Sequence, residues 1–151
     1  MQNKIAIIIQ ARLNSTRLPN KVLAKLNKKS IFEFLITRIK KSSLVNEFIL
    51  ATTNNPIDDP LCKKGKELGL TIVRGSEKDV LGRFIKASKV SKANLFIRIT
   101  ADCPFIDQIL LKDLINEFLK QDVDYLSNCY PPMLPDGFDL EIFTRESLIS
   151  A

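Results

Sequence analysis

Four short stretches of this chain, residues 5–9, 48–51, 70–73 and 95–99, are apolar apart from Thr71 and Arg98. A strand with one face in water alternates apolar and polar side chains, so an unalternated run of strand length is read as a strand covered on both faces. Helical patterns lie between the runs. Ser30-Ile31-Phe32-Glu33 has the form of a capping box opening a helix to about Lys41, and residues 57–68 form a second helix ending at Gly69. Residues 77–93 make a third helix and 107–120 a fourth. Alternation of strand and helix predicts a three-layer α/β/α fold on a mostly parallel, Rossmann-like sheet, with ligands outside the carboxyl ends of the strands. Phe32, Phe34, Phe84, Phe96 and Phe118 fall on inward-facing positions and read as core.

At 151 residues the chain has the size of one ordinary domain, enough to bury roughly 70% of its unfolded surface. No apolar run approaches the ~20 residues of a membrane span. The stretch at 5–9 after Lys4 is broken by Gln10 and Arg12 before it could act as a signal peptide. The expectation is a cytoplasmic protein without a membrane partner. Cys62, Cys103 and Cys129 are odd in number and widely spaced, so buried free thiols are expected rather than disulfides or a thiolate metal site. Histidine is absent, which removes Ser-His-Asp and Cys-His nucleophile schemes. Any chemistry must then run on carboxylates, cations and a bound metal. The net charge of +6 comes largely from clusters such as Lys28/Lys29, Lys63/Lys64/Lys66 and Lys86/Lys89/Lys92. They read as solvated helix faces and lack the interleaved aromatic side chains of a single-strand binder, so no nucleic-acid partner is expected.

Two loops at strand ends carry chemistry. The first, QARLNSTRLPNK at 10–21, brings Arg12, Arg17 and Lys21 together with Asn14, Ser15 and Thr16 directly after the first strand. Cations and backbone N–H groups at that point suit a polyphosphate, although the loop is neither a Walker nor a dinucleotide fingerprint. The second, RITADCPFID at 98–107, sets Asp102 just beyond the fourth strand, where a carboxylate can hold a divalent ion. Asp102 is otherwise a turn residue. Asp107 reads as a helix N-cap.

The segments QARLNSTRLPNKVL, RGSEKDVLGRF, RITADCPFID and PDGFDLEIF, in that order, resemble the cytidylyltransferase family that includes spore coat polysaccharide biosynthesis protein F. More distantly, the first and third resemble loops of CMP-3-deoxy-manno-octulosonate and CMP-sialic acid synthetases. The resemblance implies a nucleotide-diphospho-sugar transferase type of fold. It implies transfer of a cytidylyl group from CTP, with Mg²⁺, to a sugar or sugar phosphate for polysaccharide biosynthesis, and it admits a homodimer. Arg12, Lys21 and Asp102 become the implied catalytic residues. The implied nucleotide-binding set is Ala11, Arg12, Ser15, Thr16, Arg17, Lys21, Gly75, Ser76, Asp79 and Thr100, with Gly75, Ser76 and Asp79 near base or ribose. Asp102 is the implied Mg²⁺ ligand. Asp136, Asp139 and Glu141 take an implied sugar-facing or second-metal role, the alternative being a polar loop leading into a strand.

Three departures from the family pattern stand out. Asn20 and Ala101 occupy positions where glycine is usual, and a V-D-x-P-E-D-type segment, whose aspartate is expected to complete the metal site, is absent. Thr144 has the character of a helix N-cap, but seven residues follow it, too few for an ordinary helix packed on a sheet. The expectation is a single domain lacking its C-terminal part. Two other readings remain open. A metal-dependent glycosyltransferase of the related fold would carry an Asp-x-Asp pair where this chain has Asp102-Cys103-Pro104. A non-catalytic nucleotide-binding domain would keep the phosphate loop without a complete metal site.

Overall fold

The computed structural model describes residues 3–15 and 18–151. In chain order, β1 (Ile5–Gln10) is followed by a hairpin of β2 (Lys25–Leu26) and β3 (Lys29–Ser30), then α1 (Ile31–Ile39), β4 (Glu47–Thr53) and α2 (Asp59–Glu67). Next come β5 (Thr71–Gly75), α3 (Val80–Val90), β6 (Leu95–Thr100), α4 (Gln108–Lys120), β7 (Tyr125–Ser127), β8 (Glu141–Thr144) and α5 (Arg145–Ser150). The main sheet has the order β5-β4-β1-β6-β8-β7. β1, β4, β5 and β6 are parallel, and β8 runs antiparallel to both of its neighbours.

The apolar run of β1 has the expected cause. Ile5, Ile7 and Ile9 of β1 enter one core with α1, α2 and α4, while Ala6 and Ile8 enter another with α3 and α5. Ile7, Ile8 and Ile9 are each 0% exposed, and full burial of such a side chain is worth about 1.5–3 kcal/mol. Helix starts follow from their caps. Ser30 and Glu33 form the predicted reciprocal capping box at α1, and Asp107 accepts from Ile109 N and Leu110 N at α4. Gly69, at φ 71°, follows the end of α2.

Several expectations need correction. The third helix starts at Val80 rather than at Glu77, because the Ser76 and Glu77 carbonyls accept from the Arg83 guanidinium and Asp79 caps the helix through Gly82 N at 2.7 Å. Thr144 caps a real helix, α5, despite the few residues after it. The reason is tertiary: Arg145 donates to the carbonyls of Ser88 at 2.6 Å, Ser91 at 3.1 Å and Ala93, and lies over the Phe96 ring. Phe34 is half-buried rather than core and meets Phe105 edge-on, while Phe32, Phe84, Phe96 and Phe118 are buried. Cys62 and Cys103 are buried free thiols, but Cys129 is half-buried. Among the described residues, no helix is long and apolar enough to cross a membrane.

Candidate functional site

The chain leaves β1 toward β4 and β5, then crosses back to β6 on the other side of β1. A crevice opens where neighbouring parallel strands send their connections in opposite directions, and ligands of open α/β sheets bind there. Ala101 N donates to Gln10 O at 3.0 Å, joining the carboxyl ends of β1 and β6 at that point. A cavity of about 340 Å³ lies over the junction. Its walls come from three places: Gln10, Ala11, Arg12 and Ser15 after β1, Lys21 and Val22 beyond them, and Thr100, Ala101 and Asp102 after β6. Val80 and Arg83 of α3 close it.

The structure therefore brings together Ala11, Arg12, Ser15, Lys21, Thr100 and Asp102. Thr16 and Arg17 lie outside the described residues. Lys21 forms an ion pair with Asp102. Burial works against the charge of Asp102, but the Lys21 ammonium and the Thr100 hydroxyl outweigh it and hold the carboxyl below its ordinary range. Arg12 pairs with Glu77 at 3.0 Å while nearly half of its side chain remains exposed. Asn20 takes φ 59°, the left-handed conformation that glycine enters most freely, and asparagine is among the few other residues that adopt it readily.

Gly75, Ser76 and Asp79 stand behind the cavity wall and shape Arg83 rather than lining the space. A Cβ on Gly75 would come within 2.8 Å of Arg83 Cγ, so glycine lets the guanidinium stem pass close to the strand end. Arg83 is 2% exposed, and its Nε has no hydrogen-bond partner among the described residues. Burial, and then the positive charge of Arg12, pull this guanidinium below the usual arginine range. Arg83 thus adds a third cation to the cavity wall beside Arg12 and Lys21. The sequence reading passed over it, although one signal was present: Arg83 occupies the same helical stripe as Phe84 and Ala87, where an apolar residue belongs.

The sugar-facing trio is not gathered at this cavity. Asp136 and Asp139 are exposed, and Asp139 is near enough to Cys103 for its charge to help raise that thiol, after burial itself. Glu141 is ion-paired with Arg98, whose Nε donates to Gln10 Oε1 at 3.1 Å. It lines a second, largely apolar cavity of about 410 Å³ with Leu81, Phe84, Tyr125 and Phe143. As to a metal, no cluster of three or more carboxylate or thiol ligands exists among the described residues. Mg²⁺ keeps several waters and is commonly held by one or two carboxylates plus substrate phosphates. A lone Asp102 in a cavity lined by cations fits that mode of binding.

Residues 6–137 match the cytidylyltransferase family model. The chain belongs to this family. It is 40% identical over 148 residues to the uncharacterized protein MJ1063 of Methanocaldococcus jannaschii, covering 98% of this chain and 60% of that protein. With the spore coat polysaccharide biosynthesis protein SpsF of Bacillus subtilis it shares 38% identity over 127 residues, which is 82% of this chain and 53% of SpsF. The solved structure of a cytidylyltransferase from Leptospira borgpetersenii superposes with a TM-score of 0.92 at 34% identity, covering 98% of this chain and 63% of that one. The chain thus spans between about half and two thirds of the length of these relatives. The α/β sheet with its parallel centre is the fold that this cytidylyltransferase shares.

Proposed function

We propose that this chain is the nucleotide-binding and catalytic part of a CTP-dependent cytidylyltransferase that activates a sugar, either an acidic sugar or a sugar phosphate, for polysaccharide biosynthesis. The observation that supports it most is the meeting of Lys21 and Asp102, from the loops after β1 and β6, in the crevice between those strands. In this reading Arg12 and Lys21 bind the triphosphate, Ser15 donates to it, and the Arg83 guanidinium adds positive charge to the cavity wall. Asp102, released from Lys21 when the phosphates arrive, would hold Mg²⁺ jointly with phosphate oxygens. That ion would supply neutralisation of the charge that develops on the α-phosphate. The acceptor oxygen attacks the α-phosphorus, a new P–O bond forms, and the bond to the β-phosphate breaks with release of pyrophosphate; where the acceptor is a hydroxyl, its proton passes to solvent. Positioning and charge neutralisation suffice for this chemistry, so the absence of histidine is no obstacle.

The test is a thermal-shift panel of CTP, UTP, GTP and ATP, with and without Mg²⁺. A ligand at ~100 times its dissociation constant stabilises by about 2.7 kcal/mol. CTP should give the largest shift, and equal shifts with all four nucleotides would point to a generic phosphate site. Asp102→Asn should retain metal-free CTP binding and lose its enhancement by Mg²⁺, because the amide cannot supply the negative charge that a hard cation needs. Identical Mg²⁺ dependence in the two proteins would make Asp102 a turn residue.

A further inference from the structure

Asp58 is the only buried carboxylate among the described residues, at 0% exposure. It stands at the N-cap position of α2, yet its side chain makes no cap hydrogen bond to that helix. Oδ1 instead accepts from the backbone N–H of Leu13 at 2.7 Å, across to the loop after β1. Oδ2 accepts from the Thr53 hydroxyl, which in turn accepts from Asn55 N at 3.1 Å. Both oxygens are thus spent on holding parts of the protein, and none is offered to a ligand.

The residue that Asp58 grips is a hub. The carbonyl of Leu13 accepts from Ser15 N at 2.8 Å and from Asn20 N at 2.9 Å. Asn20, in the left-handed conformation, then leads into the 3₁₀ turn Lys21–Leu23. Arg12 precedes the hub directly, Ser15 is bonded to it, and Lys21 follows the second residue bonded to it. We propose that Asp58 is the positioning residue of the phosphate-binding loop. By fixing the backbone of Leu13 at its N–H, beside the carbonyl that holds Ser15 and Asn20, it sets where Arg12, Ser15 and Lys21 stand in the crevice. The proposal rests on the cytidylyltransferase reading for its ligand, while the pinning itself is independent of that reading.

Asp58→Ala and Asp58→Asn separate the possibilities. The amide of asparagine can still accept from Leu13 N and donate to the Thr53 hydroxyl, so it keeps the geometry without the charge. In Asp58→Ala, exchange of the Leu13, Ser15 and Asn20 amides should accelerate at least about tenfold, as expected for loss of a buried hydrogen bond. Amides of Ile7 and Ile97 should keep their protection. Affinity for CTP and for inorganic tripolyphosphate should drop about tenfold or more while that for cytidine stays within about twofold, and Asp58→Asn should recover both properties to within about threefold. Unchanged loop exchange in Asp58→Ala overturns the proposal. So does an equal loss of cytidine and CTP affinity, or an Asp58→Asn protein as impaired as Asp58→Ala. If Asp58→Ala does not fold, Thr53→Val, which removes the partner of Oδ2, should accelerate the same amides about threefold, and unchanged exchange there counts equally against the proposal. Failure of the wild type to bind CTP or tripolyphosphate would remove the cytidylyltransferase reading, with loop exchange still deciding whether Asp58 pins the loop.

Discussion

Lys21 and Asp102 form an ion pair, and under the proposed function each would exchange its partner on binding a metal-bound triphosphate. Lys21→Ala should therefore weaken CTP binding about 10- to 100-fold, as expected for a charge-assisted contact of about 1.5–3 kcal/mol, with cytidine binding unchanged in calorimetric titration. Equal loss for both ligands would assign Lys21 to the fold or the base site. The same pair has a pH signature. The folded-state carboxyl of Asp102 lies below its ordinary value, so its stabilising contribution is fully present above the ordinary carboxylate range and is lost as pH falls through the lowered value. Lys21→Met should make the protein less stable than the wild type at neutral pH, with the difference vanishing in acid denaturation profiles at low pH. Part of this residue chemistry was legible in the sequence: Arg12, Lys21 and Asp102 sit in strand-end loops, and their types are those that phosphates and metals require. Arg83 was legible only as an arginine on the apolar stripe of α3, because an arginine within a helix is ordinarily solvated and only packing shows that this one is buried at the cavity.

At the scale of elements, local signals worked where the whole signal is local. The capping box of α1 and the N-cap of α4 are short-range patterns, and both formed where they were read. α5 could not be read that way. Its six residues would not hold a helix alone, and it forms because the Arg145 guanidinium satisfies carbonyls at the end of α3 and beyond it. Arg145→Met should therefore cost about 2 kcal/mol, the penalty of leaving buried acceptors unpaired. In urea unfolding, a loss below about 0.5 kcal/mol would show that α5 rests on Leu148 instead. The start of α3 displays the same override, since Arg83 draws the Ser76 and Glu77 carbonyls out of the helical ladder.

Across the whole molecule the site depends on β1 lying between β4 and β6. Ile7, opposite Phe48 on one side and Ile97 on the other, is fully buried at that position. Ile7→Ala should destabilise by about 2–5 kcal/mol through lost burial and the cavity left behind, against a typical domain stability of about 5–15 kcal/mol. Chemical denaturation should show a lower midpoint with an unchanged slope. A changed slope would mean that the denatured or native state had altered in compactness.

Read alone, the amino-acid sequence determined the fold class, the parallel centre of the sheet and the two loops that face each other across the crevice. The periodicity of apolar residues reports how many faces of an element are covered, and cap residues report where helices begin; both are properties of neighbouring positions. What only the tertiary structure decided is which distant groups meet. Lys21 and Asp102 are 81 positions apart, Asp58 reaches Leu13 over 45, and Glu141 is taken by Arg98 over 43. No local pattern encodes these separations. They follow from the order in which the strands pair, which is set by the packing of helices on both faces, and that order makes Asp58 a support for a loop it follows by some forty residues.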